Sequence, residues 1–177
     1  LYTSASNQLS ARLSNDGSAQ QTIFVSAFVL GATGVWTFIA LRYDAAQSGA
    51  ALTVNFNAGK QSTAHAGGVF GSSSVLRLGA SDFTLPTSTD GRLDSWGFWN
   101  RALSDAEMAD LYNGGAGRTY DTLSPDRLAG LIAWYNLSEA SGARRNQHQD
   151  NHHASPNGTP SPAVGIASGV AGDEDSV

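Results

Sequence analysis

Residues 91–107 read GRLDSWGFWNRALSDAE, in which a strand pattern runs directly into a helix start. Its first part, residues 91–99, is rich in the aromatic residues that strands prefer. Its end places Ser104 three residues before Glu107, which is the spacing of a capping box. A strand and then a short helix near residues 105–112 are therefore predicted.

Upstream of this stretch, short strand patterns recur at regular spacing. They are rich in β-branched and aromatic residues or alternate between apolar and polar positions. Short strands in this arrangement indicate a sandwich or a barrel rather than βαβ units. The predicted strands are residues 8–13, 22–30, 35–43, 52–57 and 75–79.

Two of these patterns carry more detailed predictions. Residues 35–43 are largely apolar on both faces, which predicts a central strand that is covered on both sides. Residues 52–57 alternate cleanly. Their odd positions are polar and are predicted to point outward (Thr53, Asn55 and Asn57), while Leu52, Val54 and Phe56 are predicted to point inward.

The composition excludes several classes of protein. The chain of 177 residues has a net charge of −5, and charged residues make up 14%, against roughly 25% in typical soluble domains. The absence of cysteine excludes a disulfide scaffold and a cysteine nucleophile. An acidic chain with a single lysine, Lys60, predicts no nucleic-acid partner, and the lack of a run of about 18 apolar residues predicts no membrane insertion.

The sequence changes character after the helix. Residues 121–129 form a polar connector, and residues 131–137 again have the composition of a strand, which needs a partner for its backbone groups. Residues 138–177 are polar and are expected to be extended and loop-like. We expect this tail to contact another chain or a preceding domain rather than its own core.

Several motifs resemble concanavalin-A-like, laminin-G-like domains. Residues 91–115 are similar to the last strand and capped helix of that family, with GRLD, NRALS and LYNGG in this order. Residues 36–43 and 52–59 resemble its central hairpin, and residues 75–79 resemble the strand that follows. Residues 130–142, GLIAWYNLSEASG, resemble the opening strand of such a repeat.

This resemblance implies an all-β fold, namely an antiparallel jelly-roll β-sandwich of the concanavalin-A-like type with one short helix. Residues 1–120 would be the back part of one domain, and residues 121–129 a connector. Residues 130–177 would then supply the opening strand of a further repeat and a polar extended tail. Alternatively, the strand order is permuted, and the strand at 131–137 completes the same sandwich. We prefer the tandem arrangement on the sequence alone.

The enzymes of this group need two facing carboxylates, and the sequence does not supply their pattern. Their acidic residues lie on one strand as E-x-D-x-x-E, which is absent here. Glutamate occurs at Glu107, Glu139 and Glu174, and the first of these is assigned to the capping box. The chain is therefore predicted not to be an enzyme, and no catalytic residue is assigned.

Binding residues are expected in or near loops, because loops on a rigid scaffold carry recognition. The expected recognition loops are residues 44–49, 63–71 and 82–90. Asp and Asn oxygens could also bind Ca²⁺, but the sequence has no dense acidic loop, so calcium is an open alternative and no metal ligand is assigned. The candidate ligand-binding residues are Asp44, Asn57, Asp82, Asp90, Asp94 and Trp96.

Three histidines stand close together in the tail, at His148, His152 and His153. Their neighbours are polar residues and a proline, which favour a solvated loop over a helix face. A solvated polar loop is therefore expected, and a metal site is the alternative.

The resemblance implies a non-catalytic, lectin-like binding module of a larger surface-exposed protein that acts in adhesion. Its partner would be a glycan or a neighbouring protein subunit, in an extracellular location or on a virion surface, such as a phage particle or a bacterial surface. The alternative is a structural virion component, such as a capsid decoration or a tail-fibre jelly roll, that acts by protein–protein packing. A homo-oligomer or strand exchange through residues 130–177 is also expected as a mode of assembly.

Overall fold

The computed structural model divides the chain between two units. Unit 1 runs from Leu1 to Ser88, and unit 2 runs from Thr89 to Val177. The predicted strand at residues 75–79 and the candidates Asp82 and Asp90 lie outside the described residues. The described residues are 2–3, 8–16, 22–29, 34–46, 51–65, 68–71, 92–139 and 143–155.

The first sheet of unit 1 has three antiparallel strands in the order β1-β2-β3. The strands span Tyr2–Thr3, Gln8–Leu13 and Thr22–Val29, so the two longer predicted strands are confirmed. The pairing of β2 with β3 shifts register between Gln8 and Ser10, which is an irregularity of the β-bulge type.

The second sheet of unit 1 also has three antiparallel strands, in the order β4-β5-β6. These strands span Ile39–Asp44, Ala51–Phe56 and Gly59–Ala64. Asn57 has a φ of 50° in the tight turn between β5 and β6, a conformation that Asn tolerates better than most residues. The central strand β5 is therefore flanked on both sides.

A shared apolar core holds the two sheets of unit 1 together. Leu9 and Ala11 of β2 and Leu52 and Val54 of β5 are buried in one cluster. The Phe28 and Phe56 rings stack with centroids 5.2 Å apart and planes 9° apart. Alternate residues of each strand thus supply the inner face, as period-2 patterning requires. Four partly buried residues complete this core: Leu13, Phe28, Ile39 and Phe56.

The strand predicted at residues 35–43 is confirmed from Ile39 onward, and its predicted burial on both faces is wrong, because Leu41 is 40% exposed. The strand begins only at Ile39, and among the described strands β4 pairs with β5 alone. The backbone of Phe38 bonds to the hairpin turn instead, because Asn57 accepts its N–H through Oδ1 and donates to its carbonyl, each at 2.9 Å. Val35 is 67% exposed, so the apolar run does not mark burial on both faces.

Thr53 and Asn55 lie on the face opposite Leu52 and Val54, as the alternation predicts, but both are buried rather than exposed to solvent. Their positions on the central strand place neighbours on either side. Thr53 Oγ1 lies 2.7 Å from Ser62 Oγ, and Asn55 Oδ1 accepts a hydrogen bond from Arg42 Nε at 3.0 Å. The polar face of this sheet thus satisfies its own hydrogen bonds.

Unit 2 contains a two-stranded antiparallel pair. β7 spans Trp96–Trp99 and β8 spans Leu131–Tyr135, so the strand predicted over residues 91–99 is confirmed only at its end. The Trp99 and Trp134 rings meet edge to face at 6.0 Å. A side chain at Gly97 would meet the Trp99 ring at 2.4 Å, so this position of the pair requires glycine.

The helix predicted near residues 105–112 is confirmed as α1, Asp105–Tyr112. Ser104 and Glu107 form the reciprocal capping box, and Asn113 adopts the left-handed conformation that ends the helix. The expectation of a single helix is wrong, because the predicted connector contains α2, Pro125–Leu128. Proline suits the first turn of a helix, which explains this start. Two 3₁₀ turns, Asn113–Gly115 and Tyr120–Thr122, lie between the two helices.

Residues 143–155 pack against their own chain. Arg144 and Ala154 exchange two backbone hydrogen bonds, of 2.7 and 2.9 Å. Asn146 Oδ1 accepts the N–H of Trp134, and the N–H of Gln147 donates to the carbonyl of Trp134. These contacts cover the side of β8 away from β7. This part of the tail thus has contacts within its own chain, and the expected contacts with another chain or a preceding domain stay a prediction.

The secondary structure of the described residues is mostly strand, and the helices are short. The prediction of an all-β fold agrees with this content. No helix in the described part of the chain has the length and apolar character that a bilayer span requires.

Candidate binding site

The loop that follows β6 is anchored by a buried histidine. His65 is only 2% exposed, and its Nε2 lies 2.7 Å from the carbonyl oxygen of Gly68. Its ring meets the Tyr43 ring edge to face, with centroids 5.6 Å apart. Gly68 has a φ of 83°, which lets the chain turn back over the histidine. The imidazole thus ties the loop to strand β4.

A second anchor joins the same loop to the other sheet of unit 1. The N–H of Phe70 donates to the carbonyl of Ser14, which directly follows β2, at 2.8 Å. Next to these anchors, the residues Val69 and Phe70 expose 50% and 48% of their surface to solvent. The loop is therefore held at two points while it presents an aromatic and an aliphatic side chain to solvent.

The turn to which Phe70 is bonded carries polar side chains. Ser14 Oγ donates a hydrogen bond to Asp16 Oδ1 at 3.1 Å, and Asp16 is exposed. An exposed aromatic ring can stack on the apolar face of a sugar, and hydroxyl and carboxylate oxygens can accept hydrogen bonds from sugar hydroxyls. We call this group the Phe70 site; it consists of Ser14, Asp16, His65, Val69 and Phe70.

Two candidates from the sequence lie at opposite ends of the second sheet and have structural contacts. Asp44 Oδ1 accepts the N–H of Ala46 at 2.9 Å, which closes the turn after β4. Asn57 bonds to Phe38 at the other end of the same pair of strands. The structure does not bring Asp44 and Asn57 together.

Two further candidates, Asp94 and Trp96, belong to unit 2. Asp94 accepts a hydrogen bond from the Ser95 hydroxyl at 3.2 Å, and Trp96 stacks on Phe98 with ring centroids 6.4 Å apart. Asp82 and Asp90 lie outside the described residues. Among the described candidates of unit 1, Asp44 and Asn57 thus do not share a site. Within that part, no three His, Asp or Glu side chains are grouped so that they could hold a metal ion.

The carboxylates of helix α1 are held by arginines. Glu107 accepts two hydrogen bonds from Arg101, at 2.7 and 3.0 Å, and one from Arg127 at 2.9 Å. Asp110 pairs with Arg118 at 2.7 Å and with Arg127 at 3.1 Å. The side chains alternate in charge along a continuous network on one side of the helix.

This network sets the protonation of both carboxylates. The hydrogen bond from Arg101, with smaller contributions from the backbone and side chain of Ser104, lowers the pKa of Glu107 to about 2 against the opposing effect of partial burial. Partial burial would raise the pKa of Asp110, but hydrogen bonds from Arg118 and Arg127 outweigh it, so that this pKa is also lowered. A general acid for glycoside cleavage needs the opposite shift, and Glu107 therefore serves as a structural anion.

The three tail histidines lie in a loop, as predicted. Each of these residues makes a hydrogen bond that helps to hold this loop in place. His148 Nδ1 lies 3.1 Å from the Tyr120 hydroxyl, and His153 Nδ1 accepts the N–H of Asn146 at 3.1 Å. The backbone carbonyl of His152 accepts a hydrogen bond from the Tyr135 hydroxyl at 2.5 Å. These contacts pin residues 143–155 onto β8 and the turn at Tyr120.

Comparison with known families places the chain. A family described as the concanavalin A-like lectin/glucanases superfamily matches residues 1–109, and the chain belongs to this superfamily. The matched range contains the whole Phe70 site and ends within α1, so β8 lies beyond it. Neither curated proteins nor solved structures give a match to this chain.

Sequence reasoning found the region of the Phe70 site but missed its residues. Residues 63–71 were an expected recognition loop, yet neither His65 nor Phe70 was singled out. The signal was present in residues 67–71, where Val69 and Phe70 stand between glycines. Glycine-flanked aromatics in a polar stretch have no strand neighbours to bury them.

We predict that His65 controls the order of the loop. His65→Leu removes the bond to Gly68, so amide hydrogen exchange at Val69 and Phe70 should accelerate while exchange at Val54 stays slow. His65→Gln keeps a hydrogen-bond donor and should restore much of the protection. Equal protection of Phe70 in the wild type and His65→Leu would contradict the anchor, and so would acceleration at Phe70 that only matches the acceleration at Val54.

A second prediction concerns acid stability. The folded pKa of Glu107 is depressed, so its contribution is fully present above the unfolded value of about 4.5 and is lost as the pH falls towards about 2. Urea unfolding between pH 7 and pH 2 should show this loss, and Glu107→Gln should reduce stability at pH 7 by about 1–3 kcal/mol. The exposed Asp121→Asn serves as the control. A Glu107→Gln chain with wild-type stability at neutral pH would refute the assignment.

Proposed function

We propose that this chain is a non-catalytic, lectin-like module that binds a glycan through the Phe70 site. The observation that carries the proposal is the pair of anchors on an exposed aromatic. Phe70 is 48% exposed, and its loop is bonded both to His65 and to Ser14. Ser14 follows β2 of the other sheet of unit 1, so the position of the Phe70 backbone is set by the scaffold.

Pre-organisation is the physical reason why this loop suits binding. A mobile loop loses conformational freedom when it captures a ligand, and this cost weakens the complex. Two hydrogen bonds already restrict the loop of Phe70, so binding would cost little further ordering. An exposed phenylalanine also gains free energy when a ligand covers it, because its apolar surface leaves water.

Superfamily membership supports this function without deciding between its lectins and its glucanases. The carboxylates of α1 support the non-catalytic reading, since Glu107 and Asp110 are both bound by arginines and have lowered pKa values. Recognition as we propose it uses an aromatic ring and hydrogen-bond acceptors, and it assigns no metal ion to the site.

We further propose that unit 1 belongs to a jelly-roll sandwich, which the packing of its two sheets supports. The pairing of β8 with β7 supports the permuted arrangement, in which the strand at 131–137 completes a sandwich, over an opening strand of a further repeat. The module would be part of a larger surface-exposed protein in adhesion, on a bacterial surface or a phage particle. The alternative role is that of a structural virion component that packs against neighbouring subunits.

Glycan binding by the full chain tests this proposal. The wild type should bind on a glycan array, and Phe70→Ala should lose about tenfold or more in affinity, equivalent to about 1.4 kcal/mol, because it removes the stacking surface. Ile132→Ala is the matched control, since Ile132 is an exposed apolar residue of unit 2. Circular dichroism checks that each variant is folded.

Two outcomes would contradict the proposal. One is a wild type that binds no glycan, above all if it assembles symmetrically in light scattering, which would favour the structural virion role. The other is a Phe70→Ala chain that binds as the wild type does. Repeating the array with calcium and with a chelator tests the metal-free recognition, which a strict calcium requirement would overturn.

A further inference from the structure

We infer that residues 143–155 form a pH-sensitive strap over the edge of β8 that faces away from β7, and that His153 is its switch. We call this segment the tail strap. Its docked form requires a neutral imidazole at His153, so acid should release it. The inference concerns unit 2 alone and is independent of the proposed glycan binding.

The tail strap is bonded to β8 through a buried asparagine. Asn146 is only 4% exposed, and its Oδ1 accepts the N–H of Trp134 and the N–H of His148, each at 3.1 Å. The N–H of Gln147 donates to the carbonyl of Trp134 at 2.7 Å. Both backbone groups of Trp134 are therefore bonded to the tail strap.

The position of Asn146 depends in turn on the ring of His153. The backbone N–H of Asn146 donates to His153 Nδ1 at 3.1 Å. A backbone amide can only donate, so Nδ1 must present a lone pair rather than a proton. The ring in this contact is therefore the neutral tautomer with its proton on Nε2, which lies 3.5 Å from Asp150 Oδ1.

Protonation of this ring removes the contact with Asn146. An imidazolium donates from both nitrogens, so its Nδ1–H would point at the N–H of Asn146 and neither group could accept. The amide would then lose its partner on a buried residue, which is costly. Asn146 Nδ2 is already buried without a hydrogen-bond partner. A second unpaired donor on the same residue favours release of the tail strap.

The other two histidines of the tail strap do not impose this requirement. His148 Nδ1 lies at the Tyr120 hydroxyl, which can accept as well as donate, so this bond survives protonation with its roles reversed. His152 contributes its backbone carbonyl, which accepts a hydrogen bond from the Tyr135 hydroxyl. Among these three histidines, the contact that depends on charge is therefore that of His153.

The charged groups near His153 do not replace its contact with the amide. Asp150 favours the charged ring, but its side chain is fully exposed, so solvent and salt screen the attraction. Arg144 donates to the carbonyl of Glu139 and lies 3.9 Å from the carboxylate of the same residue, so this pair belongs to the start of the tail strap. The direct contact with Asn146 thus decides which form of the ring the docked strap requires.

Release of the tail strap would uncover the edge of β8. Trp134 would lose the partners of its backbone N–H and carbonyl. A strand edge with unpaired backbone groups is a template for pairing with another strand. Acid would therefore convert a covered strand edge into an accessible one.

Amide hydrogen exchange of the full chain tests the switch. Protection factors, corrected for the intrinsic pH dependence of exchange, are measured at about pH 7.5 and about pH 5, on either side of the range in which imidazole usually changes charge. In the wild type, protection at Asn146 and Trp134 should fall about tenfold at the lower pH. Protection at Asn100, which donates to the carbonyl of Gly130, should not change. Glu107 keeps its charge at both pH values, because its pKa is about 2.

Two variants assign the effect to one ring. His153→Asn supplies an amide oxygen that can accept from Asn146 but does not titrate, so protection at Asn146 and Trp134 should be the same at both pH values. His148→Gln leaves the switch in place and should respond to pH as the wild type does.

Four outcomes would overturn the inference. One is a wild type with equal protection of Asn146 at the two pH values. Another is a His153→Asn chain that loses protection at low pH as the wild type does. A loss at Trp134 that Asn100 shares in full would mean that unit 2 loosens as a whole. A His148→Gln chain without the pH response would assign the switch to the contact with Tyr120 instead of to His153.

Discussion

The packing of β2 against β5 is the interaction on which the candidate site depends. Leu9 and Ala11 meet Leu52 and Val54 in the buried cluster of unit 1. Because Ser14 directly follows β2 and the Phe70 loop follows β6, the two halves of the site come from different sheets. Neither half could position the other without the core between those sheets. The hydrogen bond from Phe70 to Ser14 therefore depends on the packing of the two sheets, and through this bond the core determines the position of a surface loop.

Unit 2 is organised around a different constraint. Glu107 closes the capping box of α1 and at the same time accepts hydrogen bonds from Arg101 and Arg127. Arg101 also donates to the carbonyls of Asp126 and Ala129, and Trp99 donates to that of Arg127. One carboxylate thus joins the end of β7, the helix and the approach to β8. Such carboxylates stabilise the fold, and their lowered pKa values make them poor proton donors for catalysis.

How much the sequence could predict depended on how local each signal was. The helix at 105–112 was predicted with its correct ends, because Ser104, Glu107 and Asn113 act within a few residues of one another. The start of β4 was predicted wrongly, because apolar alternation cannot show that Phe38 bonds to the turn at Asn57 instead of to a strand. Burial of Asn55 was missed for a similar reason, since its partner Arg42 lies on the neighbouring strand.

The site was harder to predict than the fold. Their residue types made Asp44 and Asn57 candidates for ligand binding. Asp and Asn side chains also close turns, however, and both residues have that role here. The residue type of Phe70 did not indicate a binding site, because a phenylalanine is usually buried in a core. Its exposure follows from contacts of His65 and Ser14, which are distant in sequence from each other and become visible only in three dimensions.

The most direct test of the account is the mapping of a bound glycan by NMR. The ¹⁵N-labelled full chain is titrated with a neutral oligosaccharide, such as lactose, and amide shifts are followed at every assigned residue. If the Phe70 site binds the glycan, the largest changes should cluster at Ser14, Asp16, Val69 and Phe70. Changes that cluster instead at Asp94 and Trp96, or in residues 143–155, with the Phe70 loop unaffected, would contradict it.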